Sequence, residues 1–271
     1  MTDRSGRLLA GLFIRVYQDH RPTIRAVYTF AATFLVWEFV GRYLLTSKLF
    51  FAPFSVVVSR FLELWHSGEI QHHMLVSLTE LALGFAIAAV VGIATGSLIA
   101  ISRTVGEHVD PLVDALYATP LIALSPILIL ALGIEMASKI AIVFLLAVFP
   151  ILVNTTAGIR TTDESLIEAA RSFGATTPEI FRLVLLPAAL PFIIAGLRLG
   201  IGRGIVAIFV GEMFGAREGV GFLISISAQV FDIPGLFVGV LILAIAGVVS
   251  VKVLAIAEAK IAPWRQFELR A

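Results

Sequence analysis

The chain has 271 residues, of which 59% are hydrophobic and 14% charged, with a mean hydropathy of +0.98 and a formal net charge of +1. Those proportions lie outside the range of an ordinary soluble domain and mark an integral membrane protein, while the small net charge says nothing about partners. The absence of cysteine excludes disulfides, iron–sulfur clusters and thiolate zinc sites, and the length leaves no room for a second large domain.

A bilayer core about 30 Å thick needs roughly 20 apolar residues of helix. The apolar runs are continuous rather than alternating, so helices and not a barrel are expected. Ahead of the first run, Leu8, Leu9, Leu12, Phe13 and Val16 recur at helical spacing among Arg4, Arg7, Arg15, Arg21 and Arg25, which predicts an interfacial amphipathic helix. The first run lacks the short apolar core and small-residue cleavage site of a signal peptide, so an uncleaved anchor is expected. Spans are predicted over Ala26–Leu45, Met74–Ile101, Leu112–Leu132, Ile140–Ile159, Ala188–Val210 and Leu236–Ala257. The third is punctuated by Pro111, Pro120 and Pro126 and is expected to be a short helix followed by a broken span.

Lys and Arg near the span ends set the orientation. Twelve lie on the side of the termini, namely the five arginines above with Arg103, Arg160, Arg171, Arg182, Lys260, Arg265 and Arg270. Five lie opposite: Arg42, Lys48, Arg60, Lys139 and Arg217. The positive-inside rule then places both termini and the loop between the fourth and fifth spans in the cytoplasm.

That loop is the longest polar interruption in the back half of the chain, EAARSFGATTPEIFRLVLLP from Glu168 to Pro187. Thr161 and Glu164 have capping-box spacing, so a helix is predicted to begin near Asp163 and to end at Gly174. Thr177 is expected to cap a second helix with Pro178 at its first position, and Pro187 to close that segment before the fifth span. Small Ala169 and Ala170, the apolar knobs Phe173 and Phe181, and a rim of Glu168, Arg171, Glu179 and Arg182 suit insertion into a partner's groove. A solvated amphipathic connection accounts for the same pattern.

The order Glu-Ala-Ala, three residues, Gly, nine residues, an aliphatic, one residue, Leu-Pro resembles the cytoplasmic signature of permeases of binding-protein-dependent ABC importers of type I. Glu168, Ala169, Ala170, Gly174, Leu186 and Pro187 match it, and Val184 stands where that pattern usually has Ile. Phe51-Ala-Pro-Phe-Ser, Ser77-Leu with Gly84-Phe85, and Arg198 through Glu212 are similar to the branch that imports nitrate, sulfonates, taurine and related molecules, bicarbonate among them.

The resemblance implies an all-α polytopic protein of about six spans. Residues 1–48 would form a cytoplasmic arm and the first span, 72–260 the importer domain with its ATPase-coupling loop at 161–187, and 261–271 a cytoplasmic tail. It further implies a bacterial inner membrane location, a second permease subunit forming a homodimer, a cytoplasmic ATPase dimer and an extracytoplasmic solute-binding protein. None of the four lysines closes a GxxxxGK[ST] loop, so this sequence carries no P-loop and hydrolysis falls to a separate chain.

Within the spans, Gly196, Gly200 and Gly204 repeat every four residues, and Gly92 with Gly96 makes a second small-residue face. Both are read either as helix packing or as a moving pore seam. Arg198 and Arg203 interrupt the fifth span, where an arginine costs about 2.5 to 3.5 kcal/mol on insertion scales. Each needs water, snorkelling or a partner among Glu38, Glu80, Asp114 and Glu212, or else contacts an anionic solute in a pathway that would include Arg198, Arg203 and Glu212.

Residues 211–234 are too polar to span, yet Val220–Ile226 is apolar, which predicts a re-entrant or interfacial element of an outer gate. Trp65, in the outer segment 46–73, is read as a headgroup anchor or a contact for the binding protein. His66, His72 and His73 lack metal-binding spacing and are expected at the surface, with no metal or cofactor. No catalytic constellation or nucleic-acid patch stands out, so the chain is not expected to be an enzyme. A secondary transporter needs internal repeats, and a membrane enzyme needs ionisable residues clustered at one interface; neither pattern is evident.

Overall fold

In the computed structural model, which describes residue 25, residues 27–44 and residues 50–261, every regular element is a helix. The predicted amino-terminal amphipathic helix and the basic tail lie outside the described residues. The chain divides into two units, 1–63 and 64–271.

In the first unit, helix α1 covers residues 27–44 and ends in a π turn at Val40–Leu44. Helix α2, Phe54–His66, was not foreseen within the outer segment. The Glu38 carboxylate accepts both the amide and the hydroxyl of Ser55 at 2.9 Å, which satisfies a free donor at the start of α2. Arg42, one turn along α1, pairs with Glu38 at 2.6 Å. Phe34 stacks on Phe54 with ring centroids 4.4 Å apart, and the Trp37 indole donates to the Ala52 carbonyl at 2.9 Å.

The second unit is built around one central helix. Helices α3 (Glu69–Ile101), α6 (Met136–Arg160), α8 (Thr177–Gly215) and α10 (Ile233–Ile261) are each long and apolar enough to cross a membrane. The apolar stretch of α6 is 61% buried, against 33% in α3 and 28% in α8, because α3 and α8 pack along its two sides. Between them, α4 (Arg103–Ala118) and α5 (Ser125–Leu132) form the third predicted span, bent by 82°. The break falls where Pro120 cannot extend the helix and holds Thr119 extended at φ −76° and ψ 140°. A short helix α7 (Glu164–Ser172) precedes α8, and α9 (Val220–Gln229) is the expected non-spanning apolar element, packed against α8 and α10.

Two glycine faces explain how α6 is enclosed. A Cβ at Gly96 of α3 would lie 2.6 Å from the Leu152 carbonyl oxygen, and one at Gly92 would lie 3.0 Å from Ile151. From the other side, Gly196 and Gly200 of α8 approach Ile151 to 3.1 and 3.0 Å by the same measure. Both faces therefore close on the same turns of α6. This is the packing reading, since lipid offers no hydrophobic drive and association relies on close backbone approach. The Thr156 hydroxyl adds an interhelical bond to the Gly96 carbonyl at 3.0 Å.

Replacing Gly96 by Val forces the new side chain against backbone, an overpacking cost of about 1 to 3 kcal/mol. The variant is expected to unfold several degrees below the wild type in a detergent melt. Gly202→Ala, whose added carbon meets nothing within 4 Å, is expected to melt unchanged.

Candidate functional site

The loop between α6 and α8 folds as helix, glycine turn, helix. Asp163, not Thr161, caps α7: its carboxylate accepts the Ser165 amide at 2.9 Å, and that bond holds the carboxyl below the usual range. Thr161 instead turns its hydroxyl back to the Ala157 carbonyl at 2.9 Å and ends α6. At the far end Gly174 takes φ +80°, its amide bonds the Arg171 carbonyl at 2.9 Å, and the Ala175 amide bonds the Ala170 carbonyl at 3.1 Å. That is the Schellman arrangement, which glycine enters without steric cost. The second helix is capped by Thr176, one residue before the Thr177 expected, with Glu179 accepting the Thr176 amide at 2.8 Å and hydroxyl at 2.7 Å.

Glu168 and Ala169 are exposed on this hairpin, and Phe173 at its tip is 93% exposed. Phe181 is not a second knob; it packs inward against Ile159, Ala189 and Ile193. Pro187 does not close the second helix either. A π turn at Phe181–Leu185, with the Leu186 amide bonded to the Phe181 carbonyl, makes room for the proline ring, and α8 runs unbroken for 39 residues. Val184, Leu186 and Pro187 are half-buried along this junction.

Further along α8, Arg198 and Arg203 face one cavity of about 600 Å³, bounded also by Gly202, by Tyr117 and Thr119 at the α4–α5 bend, and by Leu146 of α6. Arg198 pairs with Glu258 of α10, not with any of the four carboxylates considered from the sequence. The Arg203 guanidinium lies over the Tyr117 ring, 4.7 Å from its centroid. Asp114 lines a separate cavity beside Asp110, whose carboxylate pairs with Arg160 at 2.9 Å.

Glu212, which is 0% exposed, does not line the cavity of the two arginines. It belongs to a buried polar cluster at the other end of α8. Three successive amides at the start of α9 are taken up by side chains of other helices: Gly219 by His73 Nδ1 at 3.0 Å, Val220 by Ser77 Oγ at 2.8 Å, and Gly221 by Glu212 Oε2 at 2.6 Å. Ser77 in turn donates to Glu212 Oε1 at 2.5 Å. Helix α9 thus begins without a cap of its own and hangs from α3 and α8, with a carboxylate at its positive end. His73 is therefore a buried structural group rather than a surface one, while His72 pairs with Glu218 at 3.1 Å. Lys139, 1% exposed, donates to the carbonyls of Ile134, Glu135 and Gly215, which ties the end of α8 to the start of α6. Trp65 is half-exposed and borders an apolar cleft with Met74 and Leu78.

Residues 88–265 match the family described as binding-protein-dependent transport system inner membrane component. The putative aliphatic sulfonates transport permease protein SsuC of Bacillus subtilis is 33% identical over 87% of this chain and 85% of that protein. The formylaminopyrimidine transport permease protein ThiX of Halalkalibacterium halodurans is 32% identical over 93% of this chain and 98% of that protein. A solved structure of the MetNI methionine ABC transporter shares the fold, with a TM-score of 0.60 at 20% identity over 72% of this chain and 94% of that one.

Ser77→Ala removes the acceptor for the Val220 amide and the donor to Glu212, leaving two buried groups short of a partner. Hydrogen exchange in nanodiscs is expected to show residues 219–223 losing protection by about tenfold or more, equivalent to about 1.4 kcal/mol, with the centre of α6 unchanged.

Proposed function

The chain belongs to the family of binding-protein-dependent transport system inner membrane components, and we propose that it lines the membrane pathway of an ATP-driven importer for a small anionic solute of the sulfonate, taurine or nitrate kind. As an ABC transporter permease it is a transport subunit and not an enzyme, and it works with an ATPase and a solute-binding protein. Two copies would enclose a shared pathway, with both termini and the 161–187 loop on the cytoplasmic side, as the distribution of Lys and Arg suggests.

The observation that carries this reading is the join at Pro187. The second helix of the exposed hairpin, whose first helix and turn bear Glu168, Ala169, Ala170 and Gly174, continues without a break into the span that carries the cavity arginines. A force applied by a closing ATPase pair to the hairpin would reach Arg198 and Arg203 through one hydrogen-bonded rod. Shifting a two-state pathway from 1:99 to 99:1 takes about 5.5 kcal/mol of differential binding. A helix passes such a bias along its axis, whereas a flexible linker would absorb it. The cavity of about 600 Å³ suits a small solute, and the arginine at its wall that no carboxylate meets, Arg203, favours an anion. Glu212, at the far end of the same rod, would act on the pathway by holding α9 rather than by touching solute.

Gly174→Val must strain a position at φ +80°, yet its Cβ meets nothing within 4 Å, so its effect is confined to the hairpin. Glu168→Lys reverses a charge on the same exposed surface. Both variants are expected to insert normally and to leave ATP hydrolysis by the assembled transporter running, while uptake in proteoliposomes falls by at least about tenfold, within the usual range of coupling energies. Normal uptake by both would overturn the coupling role.

A further inference from the structure

The two arginines of the cavity differ in how their charge is met. Arg198 is matched by Glu258 across the α8–α10 contact, so its charge already meets a carboxylate. Arg203 has no carboxylate partner among the described residues; what meets it is the face of Tyr117. A ring face attracts a cation without neutralising it, and it leaves the N–H edges of the guanidinium free to donate. The other polar side chain at the α4–α5 bend, Thr119, already spends its hydroxyl proton on the Ala115 carbonyl at 2.8 Å. Of the two guanidinium groups facing the cavity, the one not met by a carboxylate is therefore that of Arg203.

Its place in the span makes this expensive to maintain for packing alone. Arg203 lies within about 5 Å, along the helix axis, of the middle of the segment Leu186–Gly215, where a lipid-facing guanidinium is strongly disfavoured. It is nevertheless exposed, flanked by Gly202, whose missing side chain leaves open space on the same wall. A planar fork of donors, met by no carboxylate and set over an aromatic ring, is suited to the oxygens of a compact anion.

We infer that Arg203 is the charge-selecting residue of the pathway, reading an oxyanion head on the solute, and that Arg198 is a positioning residue that holds α10 to α8 through Glu258. The inference rests on the cavity being the solute pathway. It adds something the relatives leave open, since one is named for sulfonates and another for a formylaminopyrimidine.

The absence of cysteine allows a direct test. Gly202→Cys, in the assembled transporter in proteoliposomes, is reacted with sulfonatoethyl methanethiosulfonate and with its trimethylammonium-ethyl counterpart, and the ratio of the two rates reports the local charge. Adding Arg203→Gln is expected to lower the anion-to-cation ratio by about tenfold, the size expected for one unit charge a few ångströms away in a partly hydrated site. Arg203→Lys should restore the ratio, and the double variant Arg198→Gln with Glu258→Gln should leave it unchanged. A ratio indifferent to Arg203→Gln in a cysteine that does react overturns the inference and leaves the pathway standing. An equal fall in the Arg198 and Glu258 double variant overturns the division of roles. A cysteine that neither reagent reaches overturns the pathway reading itself.

Discussion

The continuity of α8 through Pro187 is the constraint on which the rest depends. A proline inside a helix removes one donor and crowds the carbonyl one turn back, so the usual outcome is a kink or a stop. Here the turn before it widens to the π form, and the helix proceeds from Thr177 to Gly215. One rigid element consequently carries the inner surface of the hairpin, the two arginines of the cavity and, at its far end, Glu212. Had Pro187 ended the helix, the hairpin would be a flexible tether and the cavity would have no mechanical link to it.

In the proposed coupling the other helices would make that rod a lever rather than a fixed post. Helix α6 is gripped by glycine faces on two sides, and a backbone this close to its neighbours resists local deformation. On the proposed coupling, motion of α8 would therefore take place as a rigid shift against α6. At the end of α8 away from the hairpin such a shift would be felt by α9, whose first amides are held jointly by Ser77 and His73 of α3 and by Glu212 of α8. When α3 and α8 keep their spacing, all three acceptors are in place; when they part, the start of α9 loses some of them. The arrangement gives the short apolar element a physical reason to follow the main spans.

Much of this was legible in the sequence wherever the signal is local. The long apolar runs marked α3, α6, α8 and α10, the prolines foretold a break that falls at Pro120 while Pro111 is accommodated inside α4, and the glycine spacing marked the two faces without deciding between packing and a moving seam. The hairpin was legible too, because Asp163, Gly174 and Pro178 act on their own backbone neighbours. What the sequence hid were partnerships across distance. Glu258 sits just beyond the predicted end of the last span, so it was not weighed as the partner of Arg198, though 60 residues separate them in the chain. His73 looks like one of a polar trio, and only the approach of α9 turns it into a buried acceptor. The rim of Glu179 and Arg182 makes Phe181 look like a second apolar knob, yet the uninterrupted helix turns it toward Ile159. Glu212 was grouped with the arginines because it shares their helix, while some nine residues of α8 separate it from Arg203 and the cavity is left behind.

The most direct measurement is of α8 itself. Spin labels placed at exposed Leu183 and Leu199 of the assembled transporter are separated by roughly 24 Å along an intact helix. The separation is predicted to stay the same, within about 1 Å, between the nucleotide-free and ATP-bound states, while the distance from Leu183 to a label on α6 changes. A shift of several ångströms between Leu183 and Leu199 would mean that the helix yields between them, at Pro187 or Pro191, and would contradict the account.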